Sequence, residues 1–338
     1  MDQDSGKSRK KIPKWLLPAL GYTFSALSLI WVFHDFNFHQ TLTDLKTLDW
    51  RYVTLAVIFD LAVYVSHGWR WNVLLRPVAC PSLWRTVQAI YIGLYANEVL
   101  PLRTGEVIRC YLLAHWNNIP ISLAFASAAI ERILDGIWLV IAMLITTRLV
   151  PLPQYLVDGT QILGIGLSFL VALLIFVLVH KQKAHAVVSE SKWASGLRHV
   201  VEGIHAMGNW RTMLATAGAS LVYLALQIAP WWLLMEGYGL DLNVWAAAVV
   251  YMVVRLGTVI PNAPGNAGVT QLFCVLGLQL FHVPQATAKE FSLIVFGVLT
   301  LPLLIGGFVA VALTGLTLKD IRSKAQCSVQ PAAEVVPD

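Results

Sequence analysis

The stretch that decides the fold is NEVLPLRTGEVIR, residues 97–109. It interrupts an otherwise apolar region, residues 83–115, at Pro101 and Gly105. Proline removes a backbone donor and glycine frees the backbone, so both residues stop a helix. The pattern predicts two helical arms around an unwound turn. Four ionisable side chains lie at this turn: Glu98, Arg103, Glu106 and Arg109.

The composition places these arms in a membrane. Of the 338 residues, 57% are hydrophobic and only 13% are charged, too few charges to cover a soluble domain of this size. The apolar residues therefore face lipid, and the chain is predicted to be an all-α, polytopic membrane helix bundle. A spanning helix needs about 20 mostly apolar residues. Such segments are residues 15–33, 52–75, 121–147, 160–179, 213–235 and 287–315.

A second broken region, residues 244–281, resembles the first. Pro261 and Gly265 repeat the spacing of Pro101 and Gly105 at an offset of 160 residues. With a matching order of flanking helices, this predicts an inverted-topology repeat with unwound helices near the membrane midplane. A chance match of a common helix breaker is the alternative. In both regions the arms either span fully or re-enter. The predicted helix-break residues are Pro101, Gly105, Pro261, Pro264, Gly265 and Gly268.

Charge and hydropathy divide the chain into three segments. Residues 1–14 are predicted to be a basic cytoplasmic N-terminus, residues 15–318 the transmembrane domain, and residues 319–338 a disordered cytoplasmic tail. The half-repeats within the domain cover about residues 52–147 and 213–315. No small-residue cleavage site follows the first apolar segment, which favours a retained signal anchor over a cleaved signal peptide.

The basic residues orient the predicted bundle. With the N-terminus in the cytoplasm, most of the 24 Lys and Arg residues lie on the cytoplasmic side, Arg70 counted among them with Arg76 and Arg85. The positive-inside rule then places both termini in the cytoplasm and the protein in the inner (plasma) membrane. Residues 180–211 carry apolar residues at helical spacing between basic ones. This segment is predicted to lie on the cytoplasmic interface or to cap the bundle.

Ionisable residues inside the apolar segments form the candidate site. A charge at the bilayer centre costs at least about 2.5–3.5 kcal/mol. Such charges either hold helices together as pairs, or line a polar cavity in which arginine binds an anionic headgroup. Asp60, by contrast, is predicted to be a hydrogen-bond partner between helices. The predicted substrate-binding residues are Asn97, Arg103, Glu106, Arg109, Glu131, Arg132, Asp135, Arg255, Asn266 and Gln271.

Three motifs resemble the transmembrane, flippase-like region of the lysylphosphatidylglycerol synthase family. They are N-x-x-L-P-x-R-x-G-E-x-x-R at residues 97–109, E-R-x-x-D at 131–135 and P-x-x-P-G-x-x-G-V at 261–269. The third departs from the family pattern, with Asn266 in place of a glycine and Gln271 in place of a glutamate. The resemblance covers roughly residues 13–320. It implies the lipid-translocating region without the soluble aminoacyltransferase domain, and hence movement of an anionic or polyprenyl-linked lipid between leaflets.

Three functions remain open at this point. In a flippase, Arg103 and Arg109 would bind phosphate while Glu106, Glu131 and Asp135 orient them or relay protons. The second function is a membrane partner of a lipid or cell-envelope biosynthetic enzyme. The third, a lipid-modifying enzyme, is disfavoured because the sequence has no D-x-D, H-E-x-x-H, G-x-S-x-G or P-loop motif. We therefore predict no enzymatic activity, cofactor, metal site or nucleic-acid partner; the lipid, the energy source and the oligomeric state stay open.

Overall fold

The computed structural model describes residues 16–34, 46, 48–100, 104–179, 202–259, 262–315, 317 and 323. These parts of the chain are helical and contain no strand, which confirms the predicted all-α class. Several predictions lie outside the described residues. They concern the N-terminus 1–14, the tail 319–338 apart from residue 323, residues 180–201, and Pro101, Arg103 and Pro261.

The helices begin at capping residues that the sequence supplies. The side chains of Asp49 and Asn209 accept hydrogen bonds from the backbone N–H groups of Arg51 (2.9 Å) and Arg211 (3.1 Å), which satisfies otherwise free helix donors. The helices in chain order are α1 (Leu16–Phe33), α2 (Trp50–Leu75), α3 (Leu83–Val99), α4 (Gly105–Asn117), α5 (Ile121–Leu149), α6 (Gln154–Val179), α7 (Trp210–Tyr238), α8 (Val244–Gly257), α9 (Val269–Gln279) and α10 (Gln285–Ala312).

Helix length separates spanning helices from shorter arms. Within the described residues, Trp50–Leu75, Gln154–Ala172, Trp210–Tyr238 and Gln285–Ala312 are long and apolar enough to cross a membrane. Helix α5 has 29 residues but carries charges. The arms at the two breaks are shorter: α3 has 17 residues and α9 has 11. At about 1.5 Å per residue they reach about 26 Å and 17 Å, short of the roughly 30 Å hydrocarbon core, so their lengths favour re-entrant arms.

Helix packing follows the two predicted units. Helices α2 to α5 pack in sequence against one another, and α7 to α10 pack in the same sequence. Helix α3 contacts α10, just as α8 contacts α5, and the first helices of the two units, α2 and α7, pack extensively together. Helices α1 and α6 pack outside this pattern, α1 on α9 and α6 on α5. The inverted orientation of the two units stays a prediction.

The first break brings two helices into backbone contact. A Cβ atom on Gly105 would overlap the carbonyl oxygen of Gly93, so only glycine allows α3 and α4 to approach this closely. Asn97 Oδ1 accepts a hydrogen bond from the Gly105 N–H at 2.8 Å. The two arms are therefore held together directly before Glu106, the first charged residue of α4.

The second break is a short 3-10 turn, Pro264–Asn266, with left-handed backbone on both sides of Ala267. Gly265 has φ 74°, Asn266 φ 52° and Gly268 φ 82°, a region that favours glycine. The turn packs against α3, and a Cβ atom on Gly265 would lie 3.0 Å from Glu98 Oε2. The two breaks therefore lie close to each other, as a repeat of this kind requires.

Helix α1 braces the second break. The hydroxyl oxygen of Ser25 accepts a hydrogen bond from the Ala263 N–H at 2.8 Å. Gly268 also lies against the Ser25 carbonyl oxygen so closely that a side chain there would clash. The predicted signal anchor is therefore part of the packed bundle.

The segment before α7 packs on the bundle. Residues 202–207 are helical, and Met207 is fully buried among residues of α2, α4 and α5. Gly203 lies 3.1 Å, measured from an ideal Cβ position, from the Ala126 Cβ atom of α5. For this described part, the contacts favour the capping interpretation over a helix that lies free on the membrane surface.

Candidate functional site

A buried charged network joins α2, α4 and α5, and Glu131 is its centre. The Glu131 side chain is 0% exposed. Its Oε1 accepts a hydrogen bond from Arg70 Nε at 3.2 Å, and its Oε2 accepts one from Arg109 Nη1 at 3.3 Å. One carboxylate is thus shared by two guanidinium groups from two other helices, and pairing of this kind lowers the cost of charges in a low-dielectric interior.

Arg70 connects this centre to α7. Its Nη1 donates to the Asp135 carboxylate and, at 3.4 Å, to Ser220 Oγ. The guanidinium carbon lies 4.3 Å from the ring centroid of Tyr223, in cation–π geometry. Arg70, which the sequence groups with the cytoplasmic basic residues, does not lie on the surface. Helix α2 extends past it to Leu75, and the side chain turns into the bundle, where Glu131 and Asp135 compensate its charge.

Arg109 is held just as tightly. Its Nε donates to Glu106 Oε2 at 2.8 Å, its Nη1 lies 3.1 Å from His67 Nε2, and its guanidinium carbon lies 4.7 Å from the Trp71 ring centroid. The side chain is only 1% exposed. In this conformation Arg109 joins helices, so a phosphate contact by Arg109 would require the network to rearrange.

Sequence reasoning missed three members of this network, His67, Arg70 and Trp71. The available signal was the spacing of Asp60, Tyr64 and His67, which repeats every three to four residues and marks a polar face along α2. Of this face, a role is predicted from the sequence for Asp60 alone, because each residue by itself is compatible with an apolar helix.

The network opens on one side into a crevice. The side chains of Arg132 and Glu106 are 44% and 42% exposed, and Arg132 Nη2 lies 3.3 Å from Asp135 Oδ2. Arg255, in the last turn of α8, is also exposed, with its guanidinium carbon 5.9 Å from the Tyr251 ring centroid. The three accessible groups lie close enough to interact electrostatically with one another. They line the accessible side of the network, the crevice.

The site carries an excess of positive charge. Arg255 has no carboxylate within 4.0 Å among the described residues. The buried Arg70 Nη2 also has no hydrogen-bond partner in this part of the chain. Guanidinium groups that keep free donors suit a phosphate or carboxylate ligand. The arginines and carboxylates of the site are four arginines, Arg70, Arg109, Arg132 and Arg255, and three carboxylates, Glu106, Glu131 and Asp135.

Other predicted site residues shape the breaks. Asn97 secures Gly105, Asn266 ends the 3-10 turn, and Gln271 is buried with its Oε1 accepting from the Gly268 N–H at 2.7 Å. The hydrogen bond places Gln271 at the start of α9, away from the ion pairs of the network.

Asp60 lies apart from the network. It accepts a hydrogen bond from the Tyr64 hydroxyl at 3.3 Å. Because Tyr64 is on the same helix, the prediction of a partner on another helix is wrong for this bond.

A separate groove of about 760 Å³ lies between α5 and α6. Its lining is mostly aliphatic, including Ile137, Ile141 and Leu144 of α5, and it contains no ionisable side chain. The charged crevice, rather than this groove, is therefore the candidate site.

A model of the lysylphosphatidylglycerol synthase TM region matches residues 19–307. The chain belongs to this family. Curated relatives include a UPF0104 membrane protein of Methanocaldococcus jannaschii, 22% identical over 72% of this chain and 79% of that protein. Another, from Methanothermobacter thermautotrophicus, is 22% identical over 66% of this chain and 74% of its own length.

A further match from the same comparison is shorter. The glycosyltransferase AglD of Haloferax volcanii is 28% identical over 36% of this chain, but the aligned part is 19% of AglD. No solved structure matches this family member significantly.

Proposed function

We propose that this protein binds the anionic headgroup of a membrane lipid in the crevice and moves the lipid between leaflets. The observation that carries the proposal is the pair of accessible arginines, Arg132 and Arg255, over a buried network inside apolar helices. Ionisable residues at membrane depth are costly and usually mark a substrate path. Membership of a lipid-synthase transmembrane family supports the same substrate class. An anionic phospholipid and a polyprenyl-linked lipid share the phosphate that such a crevice recognises.

The two arginines have different roles in this proposal. Arg255 has no carboxylate partner among the described residues and is free to form a bidentate pair with a phosphate. When the ligand binds, Arg132 leaves Asp135 and pairs with the phosphate. The net electrostatic cost is small because Asp135 remains paired with Arg70. The Glu131 network keeps α2, α4 and α5 as one body. The short arms α8 and α9 then shift against that body to expose the crevice to one leaflet or the other.

A liposome assay tests the proposal. The protein is reconstituted with fluorescent phosphatidylglycerol, and the fraction accessible to an impermeant reductant is followed over time. We expect Arg132→Gln and Arg255→Gln to lose most of the protein-dependent translocation. Arg148→Gln is the matched control, because Arg148 is exposed at the end of the same helix as Arg132 and makes no contact with the site. Folded protein that moves neither phosphatidylglycerol nor a polyprenyl phosphate would overturn the proposal.

The similarity to a glycosyltransferase motivates a second candidate, a membrane partner of a lipid- or glycan-synthesising enzyme. In that case the protein acts through its surface and the crevice charges are structural. Deletion of the gene would then impair synthesis in cells, whereas Arg255→Gln would not. If Arg255→Gln abolishes both synthesis in cells and translocation in liposomes, the result favours translocation over the role of an enzyme partner.

A further inference from the structure

A further buried carboxylate, Asp60, has no place in the headgroup site. It is the eleventh residue of α2, about 15 Å from the helix start and so near the middle of the bilayer. Its side chain is 7% exposed, and its one hydrogen bond within the described residues comes from the Tyr64 hydroxyl at 3.3 Å. No Lys, Arg or His side chain of this part of the chain lies within 4.0 Å of the Asp60 carboxylate.

Tyrosines of neighbouring helices lie near the pair formed by Asp60 and Tyr64. The Tyr91 ring of α3 lies 4.8 Å from the Tyr64 ring, and Tyr91 interacts electrostatically with Asp60. Tyr223 of α7 interacts electrostatically with Tyr64. Neutral hydroxyls can share a hydrogen bond with a carboxyl group in either protonation state, but they do not compensate its negative charge.

The charged groups of the other packed helices are engaged elsewhere. On α10, Lys289 Nζ donates to the His34 carbonyl oxygen at 2.8 Å, and Glu290 accepts from the Tyr238 hydroxyl at 2.8 Å. On α5, Glu131, Arg132 and Asp135 belong to the network described above. An ionised Asp60 would therefore be an uncompensated charge inside the bilayer, which is costly, whereas the protonated carboxyl group carries no such cost.

We propose that Asp60 is a proton-binding site: it is protonated in the conformation described here and releases its proton to water when a rearranged bundle admits solvent to it. The O–H bond of the carboxyl group breaks, the proton passes to water, and the carboxylate remains. The proton site stands by itself. Its use to drive lipid movement rests on the proposed function.

Asp60 is positioned to influence the headgroup site. Tyr64 and His67 follow it at i+4 and i+7 on the same face of α2. The His67 ring lies 5.0 Å from the Tyr223 ring, and His67 Nε2 lies 3.5 Å from Glu131 Oε2. A change in the charge of Asp60 therefore alters the electrostatic potential at His67, two helical turns away, which contacts Glu131 of the network.

Infrared difference spectroscopy tests the proton site on the full-length protein in lipid. Spectra are recorded between about pH 5 and pH 9, the range over which buried carboxyl groups are known to titrate. Protein labelled with carboxyl-¹³C aspartate separates aspartate from glutamate bands without any substitution. We expect a protonated-carboxyl band from an aspartate that disappears in Asp60→Asn, persists in Asp158→Asn, and shifts in frequency in Tyr64→Phe. Asp158 is the control because it is exposed on α6.

Absence of an aspartate band that shifts in Tyr64→Phe would overturn the proton site, even if Asp60→Asn failed to fold. The coupling is tested separately in the liposome assay with an imposed pH gradient. We expect the gradient to change the translocation rate of the wild type and to leave that of Asp60→Asn unchanged. Equal gradient dependence in both would overturn the coupling alone. No translocation by the wild type, with the infrared band present, would instead overturn the proposed function and leave the proton site standing.

Discussion

Glu131 is the residue whose neutralisation should weaken the bundle most. Glu131→Gln keeps the shape of the side chain but removes the charge that Arg70 and Arg109 share. Removing one partner of a buried ion pair typically costs about 3–5 kcal/mol. Each arginine keeps a second carboxylate, Asp135 or Glu106, so the lower end of that range applies. We expect a loss of about 3 kcal/mol, roughly a hundredfold in the folding equilibrium constant.

The free energy of unfolding in mixed micelles, measured by denaturant titration, provides the assay. Glu236→Gln is the matched control, because Glu236 is a partly buried glutamate of α7 whose contact is with Trp232 Nε1 at 3.0 Å. The double variant Arg70→Gln with Glu131→Gln should lose less free energy of unfolding than the sum of the two single variants, since both changes remove the same contact. A loss from Glu131→Gln no larger than that of the control, or strict additivity, would refute the shared-carboxylate arrangement.

Two more substitutions test how the breaks are held. Gly105→Ala should destabilise the protein by about 1–3 kcal/mol, because the added methyl overlaps the Gly93 carbonyl oxygen and separates α3 from α4. Gly218→Ala, where a Cβ meets nothing within 4 Å, should be neutral or stabilising in the same unfolding assay. Ser25→Ala should cost about 1 kcal/mol and speed amide exchange at Ala263, whose N–H loses its acceptor; unchanged exchange at that amide would show that α1 does not brace the second break.

Much of the architecture follows from local properties of the sequence. Hydrophobic segments, the breaks at Gly105 and Gly265, and the matching order of helices each depend on neighbouring residues alone. The pairing of Arg132 with Asp135 is equally local, because residues three apart share a helix face. Because these properties are local, the sequence alone predicts charges inside the membrane and a charged cluster at the first break.

The tertiary structure decided which charges meet. The partners Arg70 and Glu131 lie 61 residues apart, and His67 and Arg109 lie 42 apart. Their contacts depend on how α2, α4 and α5 rotate and pack, which no local pattern specifies. Local pattern therefore assigned Arg70 to the membrane surface and Arg109 to the ligand, whereas packing buries both on Glu131.

The distinction has one physical cause. A segment's own residues decide whether it enters lipid and whether proline or glycine breaks its helix. The sequence alone therefore determined a membrane bundle with two breaks. Compensation of a buried charge is a property of three-dimensional neighbours. Only the tertiary structure could therefore separate the accessible arginines, Arg132 and Arg255, from the buried ones that hold the helices together, and leave Asp60 without a cation among the described residues.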